Sequence, residues 1–106
     1  VNASVSVTGV NMSYGAGTVG GAIAAVRSSL TFTDTHFFGN TATGHGGAVY
    51  VSDSSVVSFV GQNDFSDNTA VMDGGAVFIL DSLCTAENIT FFNNMAGDDG
   101  GAVMVT

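Results

Sequence analysis

The chain has no proline, no tryptophan and no lysine, and only one cysteine and one arginine in 106 residues. Each absence excludes something. One cation, Arg27, stands against nine acids, for a formal net charge of -8. Nucleic acid and anionic membrane surfaces are therefore excluded as partners, because affinity for either comes from Lys and Arg neutralising phosphate. The lone Cys84 makes neither a disulfide within the chain nor a zinc site, and is read as a small buried hydrophobe. No run approaches the roughly 18 apolar residues of a membrane helix, and no signal peptide is visible. Few charges and many Ser, Thr, Asn and Gly residues describe a surface solvated by hydroxyls and amides. Regularly spaced apolar residues, 45% of the total, argue against disorder.

What is abundant is repetition. Gly-Gly-Ala occurs at Gly20–Ala22, Gly46–Ala48, Gly74–Ala76 and Gly100–Ala102, with starts 26, 28 and 26 residues apart. Ahead of three of these lies Phe-x-x-Asn-x-Ala: Phe37, Asn40, Ala42; Phe65, Asn68, Ala70; and Phe91, Asn94, Ala96. In each case the Phe lies nine residues before the first Gly. A period in this range marks a repeat architecture. Residues 1–19 form a degenerate first coil, with Asn11 in the Phe position, Tyr14 in the Asn position and Ala16 in the Ala position. Coil two spans 20–45, coil three 46–73 and coil four 74–99, and 100–106 begins the next. The chain starts inside a coil and stops just after a glycine pair, so the expectation is an uncapped piece of a longer array.

Within each coil, short segments rich in Val, Ile, Phe and Thr are broken by Gly, Asn, Asp and Ser, a pattern of strands and turns without a helical period. Three strands are expected per coil: one after each glycine pair, a second near Leu30–Phe32, Val56–Val60 and Leu83–Ala86, and a third at Phe-x-x-Asn. Three strands and three turns per repeat fit an all-β parallel β-helix, with coils stacked at about 4.8 Å. The two extra residues of coil three are placed near Gly61-Gln62-Asn63.

Stacking turns each repeated residue into a column. Phe37, Phe65 and Phe91 form an internal aromatic column, and Asn40, Asn68 and Asn94 a side-chain amide ladder. The glycines suit a corner that needs positive φ or has no room for a Cβ. These columns have structural work and are assigned no chemistry.

Other positions carry candidate sites. Asp73 and Asp99 precede glycine pairs and would lie one coil apart, with Asp98 beside the second. Like charges so close are solvated, protonated or bridged by a cation. A calcium ion would take oxygen ligands from Asp73, Asp98 and Asp99; otherwise the turn is simply exposed. Alternation after the glycine pairs sends Tyr50, Phe78 and Met104 to one face, where they form either an outward interaction stripe or a surface covered by a neighbouring segment. Sequons at Asn2, Asn11 and Asn88 would carry glycans in a secreted eukaryotic protein.

The paired signatures resemble the repeats of the chlamydial polymorphic outer-membrane proteins. The resemblance rests on Gly20-Gly-Ala-Ile, on Phe37-x-x-Asn40 with Gly46-Gly-Ala-Val, on Phe65-x-x-Asn68 with Gly74-Gly-Ala-Val, and on Phe91-x-x-Asn94 with Gly100-Gly-Ala-Val. It implies a right-handed parallel β-helix, secreted as an autotransporter passenger and working in adhesion. Similar repeats occur in large surface proteins of algae and other protists.

The reading is a non-catalytic structural or adhesive segment of an extracellular or cell-surface protein, part of a filament or appendage, requiring no cofactor. Its partners are neighbouring coils of the parent chain, other surface proteins, further copies, or a host receptor or glycan. Alternatives are a bacterial autotransporter adhesin passenger and a fragment of a polysaccharide-active β-helix enzyme. For the enzyme, Gly44-His45-Gly46 and Gly97-Asp98-Asp99 look like polygalacturonase elements, but in reversed order and within the repeat turn. Ice binding would need Thr-x-Thr on every coil, and only Thr31-Phe-Thr33 has that form.

Overall fold

The structure, a computed structural model, describes residues 4–106. Among them there are fourteen β-strands and no helix. In chain order the strands are β1 (Ser4–Thr8), β2 (Asn11–Ser13), β3 (Ala16–Gly17), β4 (Ile23–Val26), β5 (Ser29–Thr33), β6 (His36–Phe38) and β7 (Thr41–Ala42), followed by β8 (Val49–Ser52), β9 (Val56–Ser66), β10 (Thr69–Ala70), β11 (Val77–Ile79), β12 (Leu83–Phe92), β13 (Met95–Ala96) and β14 (Val103–Val105). Every pairing is parallel. Three sheets result. The largest carries β1, β5, β9 and β12, with β2 and β6 continuing its other half; the second runs β3-β7-β10-β13, and the third β4-β8-β11-β14. This is a parallel β-solenoid of about four coils, as the repeat period predicts.

Register follows the motif spacing. Phe37 pairs with Phe65 and Phe65 with Phe91, Ala42 with Ala70 and Ala70 with Ala96, and Val49 with Val77 and Val77 with Val103. The second and third expected strands of coils three and four fuse into single long strands, β9 and β12. In coil two they stay apart as β5 and β6, with Asp34 between them at a φ of 50°.

Two positional expectations need correction. In the first coil Met12, not Asn11, pairs with Phe37, and Gly17, not Ala16, pairs with Ala42. Gly15, not Tyr14, meets Asn40. Counting back from Gly20 misplaces all three by one residue, because the turn before Gly20 is one residue shorter than the turn before Gly46. In addition, only one of coil three's two extra residues falls at Gly61-Gln62-Asn63. The other falls at the Asp53–Ser55 corner, since Val26 pairs with Ser52 but Ser29 pairs with Val56.

The core is aromatic. Phe37 and Phe65 stack with ring centroids 4.4 Å apart and planes 4° from parallel, and Phe91 continues the column at 5.2 Å. A second column, Phe32 on Phe59 at 5.3 Å, meets the first edge-on. The edge contacts join two stacks into one interior, a geometry that adds to simple area burial. Around them Ala48, Ala76, Val49, Val51, Val57, Val77 and Ile79 are buried.

The glycine corner is the tightest point. Gly46 has a φ of +67°, a left-handed conformation that side chains resist. Gly47 is there for space rather than φ. A Cβ on it would run into the Gly75 carbonyl and lie 2.7 Å from the Thr69 nitrogen. Backbone hydrogen bonds hold the coils this close: the N–H of Gly46 donates to the Asp73 carbonyl and that of Gly47 to the Gly74 carbonyl, each at 3.0 Å. Gly47→Ala is therefore expected to cost about 3 kcal/mol or more by overpacking. Gly9→Ala, at a positive φ but with nothing within 4 Å of the added carbon, is expected to cost only about 1–2 kcal/mol. Urea unfolding of the two variants checks the difference.

Candidate functional site

The repeated Asn residues form the ladder that their spacing predicts. Asn40 Nδ2 donates to Asn68 Oδ1 at 3.0 Å, and Asn68 Nδ2 to Asn94 Oδ1 at 2.9 Å. Each receiving Oδ1 also takes a backbone N–H from the earlier coil, from Asn40 at 3.0 Å and from Asn68 at 3.1 Å. Each Nδ2 also reaches a carbonyl one coil back: Met12, Phe37 and Phe65. Asn40 and Asn68 are fully buried. An amide supplies the two donors and the acceptor that the corner needs, which a hydroxyl or carboxylate does not. The preceding residue is left-handed in every coil: Tyr14, Gly39, Asp67 and Asn93.

Two comparable devices escaped the sequence reading. Ser55 is buried; its Oγ accepts the Ser28 N–H at 3.0 Å, and its own N–H donates to Ser82 Oγ at 3.1 Å. Ser28, Ser55 and Ser82 recur every 27 residues, a signal hidden among many serines. Asn63, also buried, accepts the Thr35 N–H and donates to the Val60 carbonyl, filling the kink between the two halves of the large sheet. Asn63 belongs to no repeated motif.

The acidic turn is occupied by local bonds. Asp73 Oδ1 accepts the Asp99 N–H at 3.0 Å, and Oδ2 lies 3.3 Å from His45 Nδ1. Nδ1 itself is buried without hydrogen-bond geometry to any partner among the described residues, and the His45 ring lies 4.4 Å from that of Phe78. Asp98 and Asp99 are exposed. Among the described residues no three His, Cys, Asp or Glu side chains are grouped as they would be around a metal ion. Asp73 is not the isolated case it resembles in sequence. Arg27, His36 and His45 in coil two each face an aspartate of coil three, namely Asp53 at 3.7 Å, Asp64 at 2.7 Å and Asp73 at 3.3 Å. The Arg27–Asp53 pair is more than half exposed on both sides, and such pairs contribute about 0–1 kcal/mol.

The proposed stripe is only partly a surface. Tyr50, Phe78 and Met104 do share a column, and Tyr50 stacks on Phe78 at 5.5 Å with planes 2° apart. Phe78, however, is 5% exposed, clasped between Tyr50 and His45. Its ring is a packing residue outside the sheets, and Tyr50 and Met104 are half-buried around it. Of the sequon residues, Asn11 and Asn88 are exposed on the large sheet, and Asn2 lies outside the described residues. On the same outer face Ser6, Thr31, Ser58 and Thr85 form one hydroxyl column, with Thr85 Oγ1 donating to Ser58 Oγ at 3.1 Å. The column of Thr33 carries Val60 in the next coil, so Thr-x-Thr is not repeated on each coil. Cys84 is half-buried beside Phe59, Ile89 and Phe91, and burial pushes its thiol pKa up.

The Chlamydia polymorphic membrane protein repeat matches the chain at two places, residues 34–52 and 88–106. Each match holds one Phe-x-x-Asn and one Gly-Gly-Ala. Between them Phe65, Asn68 and Gly74-Gly-Ala fill the same structural columns. No curated protein and no solved structure matches the chain significantly. No helix among the described residues is long and apolar enough to cross a membrane.

Two outcomes test this account. Asn68→Leu strands the Asn40 donors and the Phe37 carbonyl, and is expected to lower stability by about 1–3 kcal/mol in urea unfolding; a neutral result would mean the ladder contributes nothing. Cys84 is expected to react with an alkylating reagent more slowly at pH 8 in the folded than in the urea-unfolded chain, because the thiolate is the nucleophile and burial disfavours it.

Proposed function

We propose that the chain is a non-catalytic structural and adhesive segment of an extracellular or cell-surface protein. Its similarity to the Chlamydia polymorphic membrane protein repeat over residues 34–52 and 88–106 carries this reading. The way the repeated residues are used supports it. Phe, Asn, Gly and Ala of the motifs are consumed in coil-to-coil packing and amide bonding, which leaves the variable outward residues to meet partners. Those outward residues are mostly hydroxyls, amides and carboxylates, suited to solvation, to glycans on Asn11 and Asn88, and to polar contacts with a receptor, a glycan or other surface proteins.

The enzyme alternative finds less support. A glycoside hydrolase needs two carboxylates at controlled separation, one with a raised pKa. Asp73 is engaged by the Asp99 N–H and faces His45, while Asp98 and Asp99 are exposed. A calcium ion at this turn would have to draw Asp73 away from those partners.

Intact-mass and glycopeptide analysis of the native parent molecule, recovered from the cell surface or medium, tests the reading. Glycans at Asn11 or Asn88 on a secreted chain are expected for a eukaryotic surface or filament protein. An unmodified chain continuous with a membrane barrel supports the autotransporter passenger instead. Recovery only from the cytosol, or hydrolysis of a polymeric glycan that Asp98→Ala abolishes, would overturn the proposal.

A further inference from the structure

The corner beside the amide ladder carries a residue that stability does not account for. At this position coils two, three and four place Gly39, Asp67 and Asn93, all left-handed, and coil one places Tyr14 at a φ of 58°. Glycine takes this conformation freely and Asp and Asn tolerate it, whereas a bulky residue resists it. Burial does not compensate, since Tyr14 is 75% exposed. Its ring is nevertheless held in place. It lies across the Gly39 backbone, where a Cβ would stand 3.0 Å from its Cε1. It also meets the ring of Phe38 edge-on, with centroids 5.4 Å apart and planes at 86°. Along the same wall Phe38, Ser66 and Phe92 form one column, in which both Phe rings are exposed. Two coils at about 4.8 Å each set those rings about 10 Å apart. These side chains point away from the solenoid axis, so they face outward whatever is stacked on either end.

We infer that this wall binds a neutral, extended β-1,4-linked glycan laid along the solenoid axis. The C–H face of a pyranose packs on an aromatic ring, and its hydroxyls bond to carboxylate, amide and hydroxyl groups. Here those groups are Asp67 and Asn93, both exposed, and Ser66, half-buried between the Phe rings. In a flat β-1,4-linked chain every second sugar turns the same face to one side, at a spacing close to that between Phe38 and Phe92. One sugar stacks on the Tyr14–Phe38 pair, the second one along meets Phe92, and the sugar between them passes over the small side chain of Ser66. Rings already fixed against the Gly39 backbone and against each other lose little freedom on binding. Charge selects a neutral chain. His36 on this wall is set against Asp64 at 2.7 Å, and the one Arg faces Asp53 at another corner. A uronic or sulfated glycan therefore meets no unpaired cation among the described residues, and a net charge of -8 repels it. The site rests on the reading of the chain as a surface segment and gives that segment a ligand; absence of binding leaves the location of the protein untouched.

The test titrates the intact 106-residue chain with cellohexaose and with chitohexaose, whose separate affinities distinguish a glucan from an N-acetylglucosamine chain. Binding is followed by calorimetry and by NMR of the Tyr14 and Phe38 ring protons. An Asn11→Gln chain is run beside it, which keeps the wall clear of a glycan at that residue. At least one hexaose is expected to bind and to shift both sets of ring resonances. Tyr14→Ala and Phe38→Ala are each expected to weaken binding by about tenfold or more. Phe92→Ala is expected to weaken the hexaose similarly and to leave the disaccharide of the same sugar unchanged, which reads the spacing of the rings. Leu83→Ala, exposed on another outward column, is expected to change nothing. Because the three rings are exposed, their variants are expected to unfold in urea close to the parent, so that lost binding is not lost structure. The inference is overturned by any of four results: neither hexaose binds at millimolar concentration; maltohexaose, whose α-linked chain coils, binds as well; one of the ring variants binds hexaose as tightly as the parent; or the chain self-associates on concentration and Phe38→Ala abolishes it. The last would make a second copy the occupant.

Discussion

The amide of Asn68 is the contact on which the rest of the stack depends. It bonds the coil before it through its Oδ1 and the coil after it through its Nδ2, and it also holds a backbone carbonyl. Such a residue tolerates only one register. Slipping the coils by one residue turns every side chain to the opposite face of its sheet, so the ladder and the Phe column enforce the same alignment. The two are three residues apart in each repeat and lie on one corner and the strand leading into it. A polar device and an apolar one therefore report on the same fit.

Close approach at the glycine corner is the companion constraint. Coils separated by a backbone hydrogen bond leave no room for a carbon at Gly47, and the same holds at Gly21 and Gly75. The motif's second glycine is thus a steric requirement of the coil on its far side, while the first is a conformational requirement of its own turn. At Gly101, with no further coil among the described residues, an added carbon would have its nearest neighbour at 4.0 Å. The demand comes from stacking and not from the turn itself.

Ionic chemistry is concentrated at one junction. The only Arg and both His residues lie in coil two, and each faces an aspartate of coil three. These pairs sit at the periphery of an interface already set by Phe rings and amides. With so few cations, the remaining carboxylates stay solvated, and the outer surface has the character of hydroxyls, amides and negative charge.

Much of this was legible in the sequence because a solenoid writes its tertiary contacts into a period. Spacings of 26 to 28 residues between equivalent Gly, Phe and Asn residues determined the parallel stacking, the Phe column and the amide ladder, since a residue meets its own counterpart one coil away. What the period did not contain, only the tertiary structure decided. Asn63 answers to the local need of a corner for an acceptor and belongs to no repeated motif, while the 27-residue spacing of the serine ladder is masked by the many other serines. The first coil shifts by one residue because turn length, not motif distance, sets its register. Phe78 is buried although alternation points it outward, because His45 and Tyr50 close over its ring. Asp73 is drawn to a histidine and a backbone N–H rather than into a cluster of acids. The burial of Phe78 under His45 is a contact between different columns, and the others rest on turn lengths and on side-chain bonds to backbone that motif spacing alone does not specify.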